Sequence, residues 1–446
     1  MNTLNALHRR QWLSTMGIGI GGLSMSGWLP ALADQLATDP ARRRHCILLW
    51  MSGGPSQIDT FDMKPNHENG GEFHEIETKV PGVRFSEHLP KLATHADKLA
   101  IVRGLSTKEG DHGRATHVMH TGHRPMGPVR YPAIGATLGK QLGSDADPLP
   151  RYVSVGTYRA FDQSAFEAGF LGPRYAPLFV GATDAPTSSA TPADGFAELK
   201  IECLKSMPGI TAGQTEKRLA MWRQLQTQFV AQHPGSAARA QETVYQRTLQ
   251  LMNSGASGAF DLKDEPVALR EAYGKSLFGQ GCLMARRLVE HGVPFVEVAL
   301  SGTSGGGAGW DTHQDNFTGV KDLSQALDSG WATLMEDLQQ RGLLESTTIL
   351  WMGEFGRTPR INGNAGRDHF PKAWTCVLAG GGIAGGQIHG KTSDDGMEVV
   401  DGKVSVENVL ATVCQAVGVN PKTTNQADTG RPIAIVDGDP ISAILT

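Results

Sequence analysis

Four short stretches of this 446-residue sequence bring acids, imidazoles and glycines together in patterns suited to ion or anion chemistry. In Gly309-Trp310-Asp311-Thr312-His313-Gln314-Asp315-Asn316, Asp311 and His313 stand one residue apart. From extended backbone such a pair points the same way and offers an oxygen and a nitrogen ligand to one ion. In Met352-Gly353-Glu354-Phe355-Gly356-Arg357-Thr358-Pro359, the Glu354 carboxylate directly follows an apolar run, and Gly366-Arg367-Asp368-His369-Phe370 returns the His369 imidazole a loop later. Arg357 and Arg367 either clamp an anionic substrate bidentately or pair with neighbouring carboxylates, and for each arginine alone the pair is the simpler account.

The segment from Asp111 to Pro125 holds four of the chain's fifteen histidines within twelve positions. His112 and His117 can face a metal or anion from the start of a helix, where the dipole favours negative charge. His120 and His123 read as packing or surface residues. A fourth stretch, Ser52-Gly53-Gly54-Pro55-Ser56-Gln57-Ile58-Asp59-Thr60-Phe61-Asp62, combines glycines that let the backbone turn sharply with Asp59 and Asp62 as oxygen donors. Turn capping explains those acids equally well. Their position after a buried strand favours a site.

The elements that must position these groups are legible as apolar runs bounded by Gly and Pro. Strands are expected at His45–Met51, Leu99–Val102, Tyr152–Val155, Val293–Val298, Thr347–Met352 and Thr375–Leu378, mostly buried on both faces. Helical spacing recurs around 214–232, 238–253, 266–290, 320–341 and 405–417. This alternation predicts an α/β fold: a three-layer sandwich whose central sheet is largely parallel. In such sheets ligands gather beyond the carboxyl ends of the strands, which is where the four stretches fall. Residues 156–265, rich in Gly, Pro, Ser and Thr before two polar helices, read as an insertion or cap.

His8-Arg9-Arg10-Gln11-Trp12-Leu13, the Gly-rich apolar stretch to Pro30 and the small-x-small pattern Ala31-Leu32-Ala33 predict a twin-arginine export signal over residues 1–33. The expected location is therefore periplasmic or secreted, with no stable membrane span, because the apolar stretch is short and Gly-rich. Cleavage there takes two of the 41 basic residues and none of the 45 acidic ones, leaving 413 residues at formal charge −6. Without a basic block, nucleic acid is not an expected partner. The five cysteines include no CxxC, so neither a disulfide framework nor a thiolate zinc site follows from their spacing. No GxGxxG follows the first strand, and no nucleotide cofactor is expected.

Taken together, GGPSQIDTFDMKP, HGRATHVMHTGHRP, WDTHQDN and GEFGRTP followed by GRDHF resemble the family known as domain of unknown function 1501, grouped with the alkaline phosphatase and sulfatase superfamily. The resemblance covers nearly all of residues 34–446, and VENVLATVCQAVGV looks like the closing helix that sulfatases carry. It implies an alkaline-phosphatase-like domain and one or two divalent ions (Zn, Mn, Ca or Mg) near a group attacking a phosphoryl or sulfuryl centre. The substrate class is then a small anionic or polysaccharide ester. By motif order Asp311, His313, Glu354 and His369 fall where the superfamily keeps metal ligands, with Asp59 as a fifth. Two departures stand out. Ser52-Gly53-Gly54 occupies the place of the usual acid at the end of the first strand. His112-Gly113-Arg114 stands where sulfatases carry a C/S-x-P-x-R motif, which argues against a formylglycine sulfatase. The catalytic candidates are His112 as nucleophile or base, Thr116 or Ser106 as nucleophile, Arg114 beside them, or a metal-activated water with no covalent intermediate. A catalytically silent binding or assembly protein on the same fold is the alternative.

Overall fold

The first apolar run, His45–Trp50, forms strand β1 with every residue buried. Such a run needs cover on both faces, and the sheet built around it supplies that. The computed structural model describes residues 44–446 except 126, 182–194, 200, 202–208, 210, 234–235, 254–255 and 303–308. The expected export segment, residues 1–33, lies outside the described residues.

Seven further strands complete the sheet: β2 Leu99–Leu105, β3 Tyr152–Val155, β4 Leu178–Val180, β5 Phe295–Ala299, β6 Thr347–Met352, β7 Trp374–Gly380 and β8 Gln387–His389. Their order is β8-β2-β7-β6-β1-β5-β3-β4. β1 pairs in parallel with β5 and β6, β3 with β5 and β4, and β8 with β2. Only β7 runs against its neighbours β6 and β2. The expected α/β sandwich with a largely parallel sheet is the fold found. β4 and β8 went unread in the sequence because three-residue strands leave no apolar run. β4 also shows that the segment read as an insertion contributes an edge strand to the sheet.

The helices are α1 His112–Thr121, α2 Ile134–Leu142, α3 Ala212–Gln232, α4 Ser236–Asn253, α5 Leu277–Glu290, α6 Asn316–Gln340 and α7 Val406–Ala416, together with shorter pieces. The single helix expected over 266–290 is split: Val267–Tyr273 ends at Gly274, φ 92°, and Ser276 caps α5 by accepting from Gly279 N–H. Period-2 alternation sends β1 residues into two cores. Ile47 and Leu49 pack with Leu283 and Leu288 of α5 and Leu327, Trp331 and Leu334 of α6. Cys46, Leu48 and Trp50 pack with Val118 and Met119 of α1, Ile134 and Leu138 of α2, and Leu410 and Val413 of α7. At roughly 1.5–3 kcal/mol for each large apolar side chain buried, these two layers pin the register of β1. No described helix is long and apolar enough to cross a membrane.

Candidate metal centre

The loops leaving β1, β2, β5 and β6 emerge at one edge, because these four strands run the same way. The loop after β2 ends at Asp111, whose Oδ1 accepts from Arg114 N–H at 3.1 Å, starting α1 with His112 as its first residue. After β5, Trp310 N–H donates to Ser52 O at 3.1 Å and ties the Asp311 segment to the β1 loop. The 362–368 loop is laced to the same segment: Arg367 N–H donates to Thr312 O at 2.9 Å and Asn362 Nδ2 to His313 O at 2.9 Å.

The centre is one carboxylate oxygen met by three imidazoles. Asp311 Oδ1 lies 3.3 Å from His112 Nε2, 3.2 Å from His313 Nε2 and 3.3 Å from His369 Nε2. His313 Nε2 and His369 Nε2 are themselves 3.0 Å apart. Each ring has its other nitrogen committed: His112 Nδ1 to Glu354 Oε1 at 2.7 Å, His313 Nδ1 to Asp368 Oδ1 at 2.7 Å, and His369 Nδ1 to Gly110 O at 2.9 Å. Carboxylates and carbonyls accept, so the proton of each neutral ring sits on Nδ1 and the Nε2 lone pair faces the centre. This is how metal-ligating histidines are oriented.

The donor set fits a divalent ion. Ligand atoms of His112, Asp311 and His369 all lie within 4.8 Å of one another. Metal–ligand bonds of about 2.0–2.1 Å in a tetrahedron give ligand–ligand edges of roughly 3.3 Å, close to the 3.2–3.3 Å from Asp311 Oδ1 to each imidazole. His112 Nε2 and Glu354 Oε2 are both buried without a hydrogen bond, an arrangement that costs free energy until a cation or donor meets them. Exposure sets the direction of access: Glu354 is sealed at 0 %, while His313 is 45 % exposed.

Arg357 braces the centre from behind. Fully buried, it donates to Asp311 Oδ1 at 2.6 Å, to Gly54 O at 3.1 Å, to Arg367 O at 3.2 Å and to Gly53 O. Gly53 N–H donates to Glu354 Oε1 at 2.8 Å. Gly54 has φ 81° and a Cβ there would sit 2.6 Å from Phe355 O, so only glycine lets the β1 loop approach this closely. Electrostatics follow from the geometry. Burial raises the Asp311 pKa, but the His112 and His369 imidazoles beside it and the Arg357 guanidinium outweigh that and hold the carboxyl far below the usual range. Burial lowers the His112 pKa, but the Asp311 and Glu354 carboxylates on either side of the ring prevail and lift it to about 9. Phe161 stacks on the His112 ring at 4.1 Å and 3°, with Phe355 packed against both His112 and His369.

Of the residues singled out in the sequence, Asp311, His313, His369, Glu354 and His112 are brought together. Three are placed elsewhere. Asp59, expected as a fifth ligand, is fully buried with both oxygens held: Oδ2 accepts from Arg367 Nε at 2.8 Å and Asn316 Nδ2 at 2.8 Å, and Oδ1 from Arg367 Nη2 at 2.9 Å. Arg114 points to solvent, 62 % exposed, and pairs with Glu109. Thr116 is buried within α1 and its Oγ1 makes no hydrogen bond, so nothing ties it to the centre. His117 donates to Asp162, His120 packs between Trp50 and Phe166, and His123 stacks on Tyr131. Asp368 and Gly110 were missed as orienting partners. Asp368 stands inside a quoted motif, whereas a backbone carbonyl such as Gly110 O leaves no signal in sequence.

Fold and centre together define a three-layer α/β protein with a carboxylate–imidazole cluster at the carboxyl edge of its sheet. The chain belongs to the family described as Protein of unknown function (DUF1501), whose model matches residues 43–445. This is the family that the motifs resembled. Similar solved structures include the PsFucS1 sulfatase from Pseudoalteromonas sp., 12% identical over 86% of this chain and 71% of that one, TM-score 0.42. Others are a protein in the alkaline phosphatase superfamily from Vibrio parahaemolyticus (11%, 85% and 68%, 0.37) and the C-terminal periplasmic domain of EcEptC from Escherichia coli in complex with Zn (12%, 88% and 92%, 0.36). No curated protein matches the sequence.

Proposed function

We propose that this protein is an exported, metal-dependent hydrolase of phosphate or sulfate esters, with His112, Asp311, His313 and His369 as the ligand set. The observation that carries this reading is the convergence of three Nδ1-anchored imidazoles on Asp311 Oδ1. When bound, a divalent ion supplies Lewis acidity toward an ester oxygen and lowers the pKa of water. The chain's own groups do the rest. Glu354, Asp368 and the Gly110 carbonyl hold each ring in the ligating tautomer. Arg357 fixes Asp311 and offsets its charge. Glu354 Oε2, buried and unpartnered, is placed to accept a proton at the centre's closed end. Three imidazoles and one carboxylate suit zinc better than calcium, magnesium or manganese, which prefer oxygen-rich sites.

A second reading, a binding protein that holds a metal without turnover, is favoured by one observation: Arg114 is turned to solvent, and the Thr116 hydroxyl makes no hydrogen bond to any group of the centre. Metal content by mass spectrometry on the exported protein, wild type beside His313→Ala and Glu354→Gln, combined with a panel of phosphate and sulfate esters, separates the readings. One ion per chain with ester turnover that His313→Ala abolishes supports the hydrolase. Metal without turnover moves the assignment to the binding protein, and an empty protein that cannot be reloaded defeats both. N-terminal sequencing of the exported form tests cleavage after Ala33.

A further inference from the structure

Loops that hold the cluster also wall a hollow beside it. Residues 106–109 run from β2 toward Gly110, whose carbonyl orients His369, and Lys372 follows His369 by three residues. These loops and the 397–407 segment line a cavity of about 560 Å³. Lys108, Lys372 and Lys403 reach it from three separate loops, and all three are exposed. None of their ammonium groups has an ion-pair partner among the described residues. Arg124 lines the same wall, 3.6 Å from Glu109, which Arg114 also holds at 3.1 Å.

Charge bookkeeping favours an anion there. With Glu109 committed to two arginines, three free ammonium groups face two carboxylates, Glu398 and Glu407. Glu407 stands in the first turn of α7, where the helix dipole already suits it. A single exposed lysine is ordinarily a solvated surface charge. Three converging on one hollow repel one another and lower the energy of any anion that enters. The cavity is roomy enough for a sugar-sized group bearing a sulfate or phosphate, or for a short phosphate chain.

We propose that this cavity is a polyanion subsite, taking a second anionic group of an extended substrate whose ester is presented to the His/Asp centre. The substrate class is thereby an oligomer carrying repeated sulfate or phosphate groups rather than a small monoester. The proposal rests on the ester-hydrolase reading for its purpose, but its binding test does not depend on turnover.

The test is calorimetric titration of the full exported protein with inorganic tripolyphosphate, a sulfated hexasaccharide and the same hexasaccharide desulfated. Wild type is compared with Lys108→Gln/Lys372→Gln/Lys403→Gln and with a charge-matched control, Lys79→Gln/Lys263→Gln/Lys275→Gln, whose lysines are exposed and outside the cavity. The charged probes are expected to bind and the desulfated one not, with affinity falling as salt rises. The cavity triple variant loses roughly 10-fold or more in affinity, at about 2- to 5-fold per exposed pair, and the control stays within about twofold. Binding confined to the sulfated sugar, or to tripolyphosphate, supports the subsite and identifies its source. Equal losses in both triple variants, or no loss in either, overturn it. Polyanion binding by a protein that turns over no ester keeps the subsite and defeats the hydrolase reading, whereas ester turnover by a protein that binds no polyanion does the reverse.

Discussion

His313 and His369 present their Nε2 atoms to each other at 3.0 Å while their Nδ1 atoms are held by Asp368 and the Gly110 carbonyl. Two lone pairs at that distance repel, and a shared cation turns the repulsion into a pair of bonds. The outer contacts that enforce this arrangement are therefore as open to test as the ligands themselves.

Asp368 is exposed and touches no ligand atom that faces the centre, yet it fixes the His313 tautomer. Asp368→Asn is expected to weaken metal binding about 10- to 100-fold while leaving the melting temperature in chelator unchanged. Competition against a chromogenic chelator measures it. Wild-type affinity in the variant would remove the orienting role.

Metal choice follows from the donor set. Zinc at 100 times its Kd is expected to stabilise the protein by about 2.7 kcal/mol, seen as a rise in melting temperature, and calcium to give none. A calcium shift matching that of zinc would mean that carboxylates, not imidazoles, form the site.

The pH dependence differs with and without metal. In the metal-free protein the His112 pKa is raised to about 9, so its stabilising contribution is fully present below the ordinary value near 6.5. That contribution is lost as pH climbs through about 9. A metal at Nε2 needs the neutral ring, so the metal-induced gain in melting temperature grows over the same window. Thermal melts from pH 6 to 9.5, in chelator and in zinc, check both slopes. Parallel slopes would show that His112 is not a ligand.

The Asp59–Arg367 pair is structural. Both groups are fully buried, so Arg367→Met strands a carboxylate and is expected to cost about 3–5 kcal/mol. Asp59→Leu/Arg367→Met recovers part of that loss, read by chemical denaturation. Asp59→Asn keeps full metal stoichiometry, whereas a drop in metal content would restore Asp59 as a ligand.

What the sequence determined by itself is what local pattern encodes. Runs such as His45–Trp50 and Thr347–Met352 declare buried strands, because only a doubly covered strand tolerates so many apolar residues in succession. The alternation of such runs with helical spacing gives the α/β architecture, and motifs following the runs place the chemistry at the strand ends. The antiparallel course of Trp374–Gly380 has no local signature, since apolar spacing is the same in either direction. Nor does spacing distinguish Asp59 from Asp311, as each lies in a polar loop beyond a buried strand.

Only the tertiary structure separated those two acids. Arg367, 308 positions away in the chain, encloses the Asp59 carboxylate together with Asn316. Arg357 takes only one edge of Asp311 and leaves the same oxygen facing three imidazoles. A carboxylate becomes an ion pair or a ligand according to which cation the packed loops bring to it first. That choice is made by contacts hundreds of residues apart, which no window along the chain contains.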